Sequence, residues 1–125
     1  KYLTNKVSLT IIILLNKKED FMSWLYLLLA IIFETIGTTG MKLSNGFSVL
    51  LPSILTIISY ILCFSFLSFA LKTIDMSVGY AIWCSLGILL ISIIGIVFLH
   101  ESVSLLKIAS ILLIILGTVG LRLAN

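Results

Sequence analysis

The chain has 125 residues, 61% of them hydrophobic and 10% charged, with a formal net charge of +3. Soluble domains run near ~45–50% apolar and ~25% charged, and a chain this short cannot hide so much apolar surface from water, so its solvent is lipid. The composition also excludes a disordered chain, and no basic stripe with interleaved aromatics supports nucleic-acid binding.

Residues 1–21 differ from all that follows. Their apolar run from Val7 to Leu15 is too short to cross a bilayer alone, and no small-residue cleavage site marks them as a signal peptide. Met22 opens the pattern MSWLYLLLAIIFE, so the expectation is that Met22 is the true start, with an upstream extension over 1–21 and the functional unit over 22–125.

Four spans follow, each long enough to cross and each required to be a helix in lipid. The first runs from about Ser23 to Met41, with Trp24 and Tyr26 at its start in the manner of an interfacial aromatic belt. Ser44–Asn45–Gly46 forms a turn, and Pro52 suits the opening turn of a second span ending near Leu71. A polar connection holding Lys72 and Asp75 leads to the third span, about Val78 to Leu99. The fourth covers about Val103 to Leu121, with Lys107 placed to snorkel to the interface. The fold class is therefore an all-α membrane protein of four transmembrane helices with short loops.

Loop charge is balanced. In residues 22–125, Lys72 and Arg122 fall on one side of the membrane, Lys42 and Lys107 on the other, so the positive-inside rule sets no orientation. Such a chain is able to insert both ways, which permits an antiparallel dimer. Lys1, Lys6, Lys17 and Lys18 of the extension would tip the count to six against two.

Glu34 is the main chemical signal. It lies near the middle of the first span, where a charged side chain costs at least ~2.5–3.5 kcal/mol. No lysine or arginine lies deep within a span to pair with it. The carboxyl must therefore hold a proton, hold an organic cation, or serve as protonated helix glue. Ala30, Glu34, Gly37, Thr38 and Met41 share one face at helical spacing, small and polar beside the acid. That face would admit a ligand, or equally pack against another helix.

Aromatic residues are the second signal. Tyr80, Trp83 and Gly87 recur at three and four residues on span three, and Tyr60 adds a phenol in span two. Aromatic faces attract soft cations, by ~2 kcal/mol or more when desolvated, although ordinary packing would use the same residues. Span four has neither acid nor aromatic; Ser110, Gly117 and Ala124 repeat every seven positions, with Gly120 three beyond Gly117, as in helix association. We read Ser110, Gly117 and Gly120 as a dimer contact. Cys63 and Cys84 read as small packing residues, and His100 beside Glu101 has no ligand cluster around it, so neither a metal nor a cofactor is expected. Nor does any nucleophile–base pair point to an enzyme.

Taken together, F-E-T-I-G-T-T-G-M-K-L-S-N-G-F (Phe33–Phe47), L-P-S (Leu51–Ser53) and G-Y-A-I-W-C-S-L-G-I (Gly79–Ile88) resemble the small multidrug resistance family of bacterial exporters. The resemblance covers about Met22 to Asn125. It implies an antiparallel dimer in the bacterial cell (inner) membrane, exchanging protons for cationic substrates by alternating access. On the matching positions, Glu34 would be the shared proton and substrate site, Tyr60, Tyr80 and Trp83 an aromatic wall, and Ala30, Gly37 and Thr38 the neighbours of the acid. The chain departs from the family's W-S-G-x-G by placing Ser85 in Trp83–Cys84–Ser85–Leu86–Gly87. Thr35–Ile36–Gly37–Thr38 lacks the tryptophan of the guanidinium-exporting branch and resembles the multidrug branch, whereas Phe66–Asp75 resembles members working as unequal pairs, some exporting polyamines. Three readings stay open: a multidrug homodimer, a narrower exporter of polyamine or guanidinium-like cations in a heterodimer with a paralogue, and a membrane assembly subunit that transports nothing.

Overall fold

The computed structural model describes residues 2–124, apart from the side chains at 2, 3 and 19. It consists of four helices in chain order: α1 (Tyr2–Leu43), α2 (Leu50–Ala70), α3 (Met76–Val97) and α4 (Leu105–Ala124). All four are long and apolar enough to cross a membrane. The molecule is a multi-pass membrane protein, and its three inter-helix turns alternate between the two ends of the bundle.

The extension is not a separate element. It continues into the first span as one helix, because no glycine or proline interrupts the chain before Gly37. At 1.5 Å per residue its 42 residues extend about 63 Å, roughly twice a hydrocarbon core. The amino-terminal half therefore runs beyond the bundle, with Val7, Ile11, Leu14 and their neighbours exposed.

Helix ends follow local chemistry. Ser44 Oγ accepts a bond from Phe47 N (3.1 Å), closing the turn after α1, in which Asn45, Gly46 and Phe47 all have positive φ. Helix α2 begins two residues before Pro52, so the proline stays within the first turn, where its missing N–H costs nothing. Helix α4 starts at Leu105 rather than Val103, because Ser104 caps it: its Oγ accepts from Lys107 N at 3.1 Å.

Packing centres on α1. A stripe of small residues on α2, namely Ser53, Thr56, Ser59, Cys63 and Ala70, is buried against α1 and interrupted only by Leu67. Opposite it, Gly40 meets Thr56 and Pro52, and Gly37 meets the ring of Tyr60 at 3.0 Å from where a Cβ would sit. Small residues bring two backbones close enough for dispersion contacts to replace lipid contacts. Thr56 Oγ1 stays satisfied at this crossing by donating to the carbonyls of Pro52 (2.9 Å) and Gly37 (3.2 Å). Leu27, Ala30 and Ile31 of α1, with Ile74, Val78 and Trp83, complete the core.

Helix α4 stands apart. It packs on α3, and none of its described side chains is buried. Thr118 reaches the carbonyl of Ala81 (3.4 Å), and Arg122 lies over the Trp24 ring at 5.2 Å. Ser110, Gly117 and Gly120 are exposed on the protomer, and a Cβ on either glycine would meet nothing within 4 Å.

Candidate functional site

Helical geometry places Glu34 midway along the bundled part of α1, turned toward α3. Its carboxyl lies directly against Gly87, where any Cβ would collide with Oε2 and come within 3.2 Å of Cδ. A backbone without a side chain makes that approach possible. The carboxyl is half-buried, and Oε2 has no hydrogen-bond partner among the described residues. The same holds for one buried donor, Trp83 Nε1. Unpaired buried polar atoms are rare and costly, which makes Glu34 Oε2 and Trp83 Nε1 candidates for contact with a ligand.

One turn toward the α1–α2 loop, Thr38 Oγ1 and Tyr60 OH share a hydrogen bond of 2.5 Å, which joins α1 to α2 and fixes the Tyr60 ring. Gly37 packs beneath that ring, so its smallness serves the tyrosine's position. Ala30, one turn on the other side of Glu34, is fully buried in the core. The acid is thus flanked by a packed residue on one side and a hydroxyl pair on the other.

The aromatic residues form a continuous row. Tyr60 stacks on Phe64 at 5.8 Å, Phe64 meets Trp83 at 5.9 Å, and Trp83 meets Tyr80 at 5.2 Å. The three expected residues are therefore neighbours, and Phe64 is the link that sequence reasoning passed over. Its signal was available: Phe64 lies four residues after Tyr60, on the same face of α2. Trp83 is buried, whereas Tyr80 and Phe64 are more than half exposed and face out of the protomer. The row thus forms one wall of an open site. Ser85 sits buried in α3, with its hydroxyl bonded to the Ile82 carbonyl (3.2 Å), so its polarity is met locally.

Residues 22–114 match the family model of the Small Multidrug Resistance protein. The chain belongs to this family. It is 51% identical over 102 residues to the uncharacterized membrane protein YvaE of Bacillus subtilis (strain 168), covering 82% of this chain and 86% of that one. It is 45% identical over 101 residues to the quaternary ammonium compound-resistance protein QacH of Staphylococcus saprophyticus, covering 81% and 94%. With the guanidinium exporter of Escherichia coli (strain K12) it shares 38% identity over 104 residues, covering 83% and 99%. A small multidrug resistance protein with four spanning helices is a multi-pass protein of the bacterial cell membrane.

In chemical terms the site offers one intramembrane carboxyl, a row of π-faces and a hydroxyl pair. No basic residue lies between Met22 and Met41, within α2 or within α3 to compete for the acid. A bound cation would find its charge balanced by Glu34 and its apolar groups covered by rings.

Proposed function

We propose that this chain is a proton-coupled antiporter that exports lipophilic and quaternary-ammonium-type cations, with residues 22–125 as the transport unit. It works as an antiparallel homodimer in which two copies of Glu34 share one chamber. The observation that carries this reading is the unpartnered, half-buried Glu34 carboxyl seated on Gly87 beside the aromatic row. The family and the quaternary ammonium resistance of a relative 45% identical support a cation as the cargo. The exposed sides of Tyr80 and Phe64 and the unburied α4 leave surfaces for a second copy to cover. Ser110, Gly117 and Gly120 of α4 supply the close contact between the two.

Coupling follows from exclusive occupancy. A carboxylic acid at Glu34 is neutral and tolerated in lipid; on losing its proton to the cytoplasmic side it becomes the counter-charge of an arriving cation. A proton entering from the outer side reverses that exchange and releases the cation. Two opposed protomers give the inverted symmetry that other transporters build into one chain. The protein is a transporter and not an enzyme.

Replacing Glu34 with Asp tests this. Free aspartic acid holds its proton less tightly than glutamic acid. Vesicles carrying Glu34→Asp should still exchange protons for tetraphenylphosphonium, with the pH–rate profile moved to lower pH. An unchanged profile would mean that this carboxyl does not set the coupling. The resemblance of Phe66–Asp75 to members that pair unequally, with the guanidinium exporter among the relatives, favours as a second reading a narrower cation exporter within a heterodimer.

A further inference from the structure

At the end of the bundle that holds the 71–75 turn, a groove of about 580 Å³ runs between α1 and the carboxyl end of α2. Lys18, Met22, Ser23, Tyr26, Phe69, Lys72 and Thr73 line it. Charge and depth are sorted along its length. Lys18 lies two turns before Tyr26 on α1, about 12 Å farther from the membrane centre. Lys72 follows the last turn of α2, and its ammonium sits 5.0 Å from the centre of the Phe69 ring, which holds the charge over the groove. Deeper in, Tyr26 stacks on Phe66 at 5.9 Å and meets Phe69 at 5.5 Å, making an apolar aromatic floor. Between the two levels Thr73 Oγ1 donates to Ser23 Oγ, tying the turn to α1.

Among the described side chains, none that lines this groove is acidic. Two other grooves differ: in the adjacent one Asp20 and Asp75 stand with Arg122, and at the opposite end of the bundle Glu101 stands with Lys42. A cationic rim at the interface above an aromatic floor at acyl depth matches a molecule with an anionic head and a hydrocarbon tail. We infer that this groove binds an anionic phospholipid, its phosphodiester held between Lys18 and Lys72 and its acyl chain lying along Tyr26 and Phe69. The site joins the helical extension to the transport bundle through a lipid. The inference stands whether or not the chain transports cations.

The test is native mass spectrometry of the full chain in detergent with added phosphatidylglycerol or phosphatidylcholine. The expected result is selective retention of phosphatidylglycerol, lowered about tenfold or more by Lys18→Gln with Lys72→Gln. Charge loss matched at the other end, Lys42→Gln with Lys107→Gln, should leave retention unchanged. Both lysines of the groove are exposed, so helical content by circular dichroism should not change. Equal retention of the two lipids would overturn the inference, as would equal loss from the two double variants. Displacement of the lipid by millimolar inorganic phosphate alone would also overturn it, by identifying a simple phosphate site.

Discussion

Gly87→Ala should lower cation affinity by about ten- to a hundredfold while leaving the helices folded. The added Cβ would overlap Glu34 Oε2, and something must move. The obstructing atoms are the far end of a flexible side chain, so the carboxyl yields before the α3 backbone does. Overpacking of this kind typically costs ~1–3 kcal/mol, which converts to that range of Kd. The cost falls on the site because the displaced group is the cation's counter-charge. Titration with tetraphenylphosphonium by calorimetry reads the affinity, and circular dichroism confirms the fold. Unaltered affinity would mean that the carboxyl works from a position other than the one against Gly87.

Trp83→Ala should have the largest effect on stability. Trp83 is 7% exposed, closes the core beside Cys63, and touches both Phe64 and Tyr80. Truncating a buried tryptophan costs about 3–5 kcal/mol in a packed interior. It also removes the central link of the aromatic row, so Tyr80 and Phe64 lose the surface they lean on. Trp83→Phe keeps a ring there and should restore most of the thermal stability in detergent. Its affinity for aromatic cations should fall by a smaller factor, because phenylalanine is a weaker cation–π partner than tryptophan. If Trp83→Ala melted with the parent chain, the residue would be peripheral, contrary to its burial.

Much of the bundle was legible in the sequence because lipid imposes a single rule on each span, and span length follows from bilayer thickness. Glu34 announced itself by being the one charge in the middle of an apolar run. Tyr60, Tyr80 and Trp83 were found as cation-binding residue types, yet their contiguity depends on how α2 and α3 cross, and that is a tertiary property. Phe64 was passed over because its four-residue spacing from Tyr60 fits ordinary packing equally well, and a phenylalanine in an apolar helix carries no charge or polarity to decide between the two. The approach of Gly87 to Glu34 was hidden for a similar reason: spacing along one helix says nothing about register against another. The continuity of α1 was readable in principle, since the chain from Lys1 to Ile36 contains no helix breaker. The backbone passes through the shift in composition near Met22 without a break.

The small-residue motifs divide the same way. On α2 the buried stripe from Ser53 to Ala70 works inside the protomer, against Gly37 and Gly40. On α4 the comparable stripe is exposed, and a Cβ on Gly117 or Gly120 would meet nothing within 4 Å. The sequence pattern is alike in both helices, and only the fold separates a stripe packed inside the protomer from one left exposed on it.

The central claim is that one carboxyl carries the proton and the cation in turn. Purified chain in weakly buffered detergent solution should release protons when tetraphenylphosphonium is added, and Glu34→Gln should release none. Cation-driven proton release persisting in Glu34→Gln would contradict the account, and so would full cation binding by the parent chain without any proton leaving.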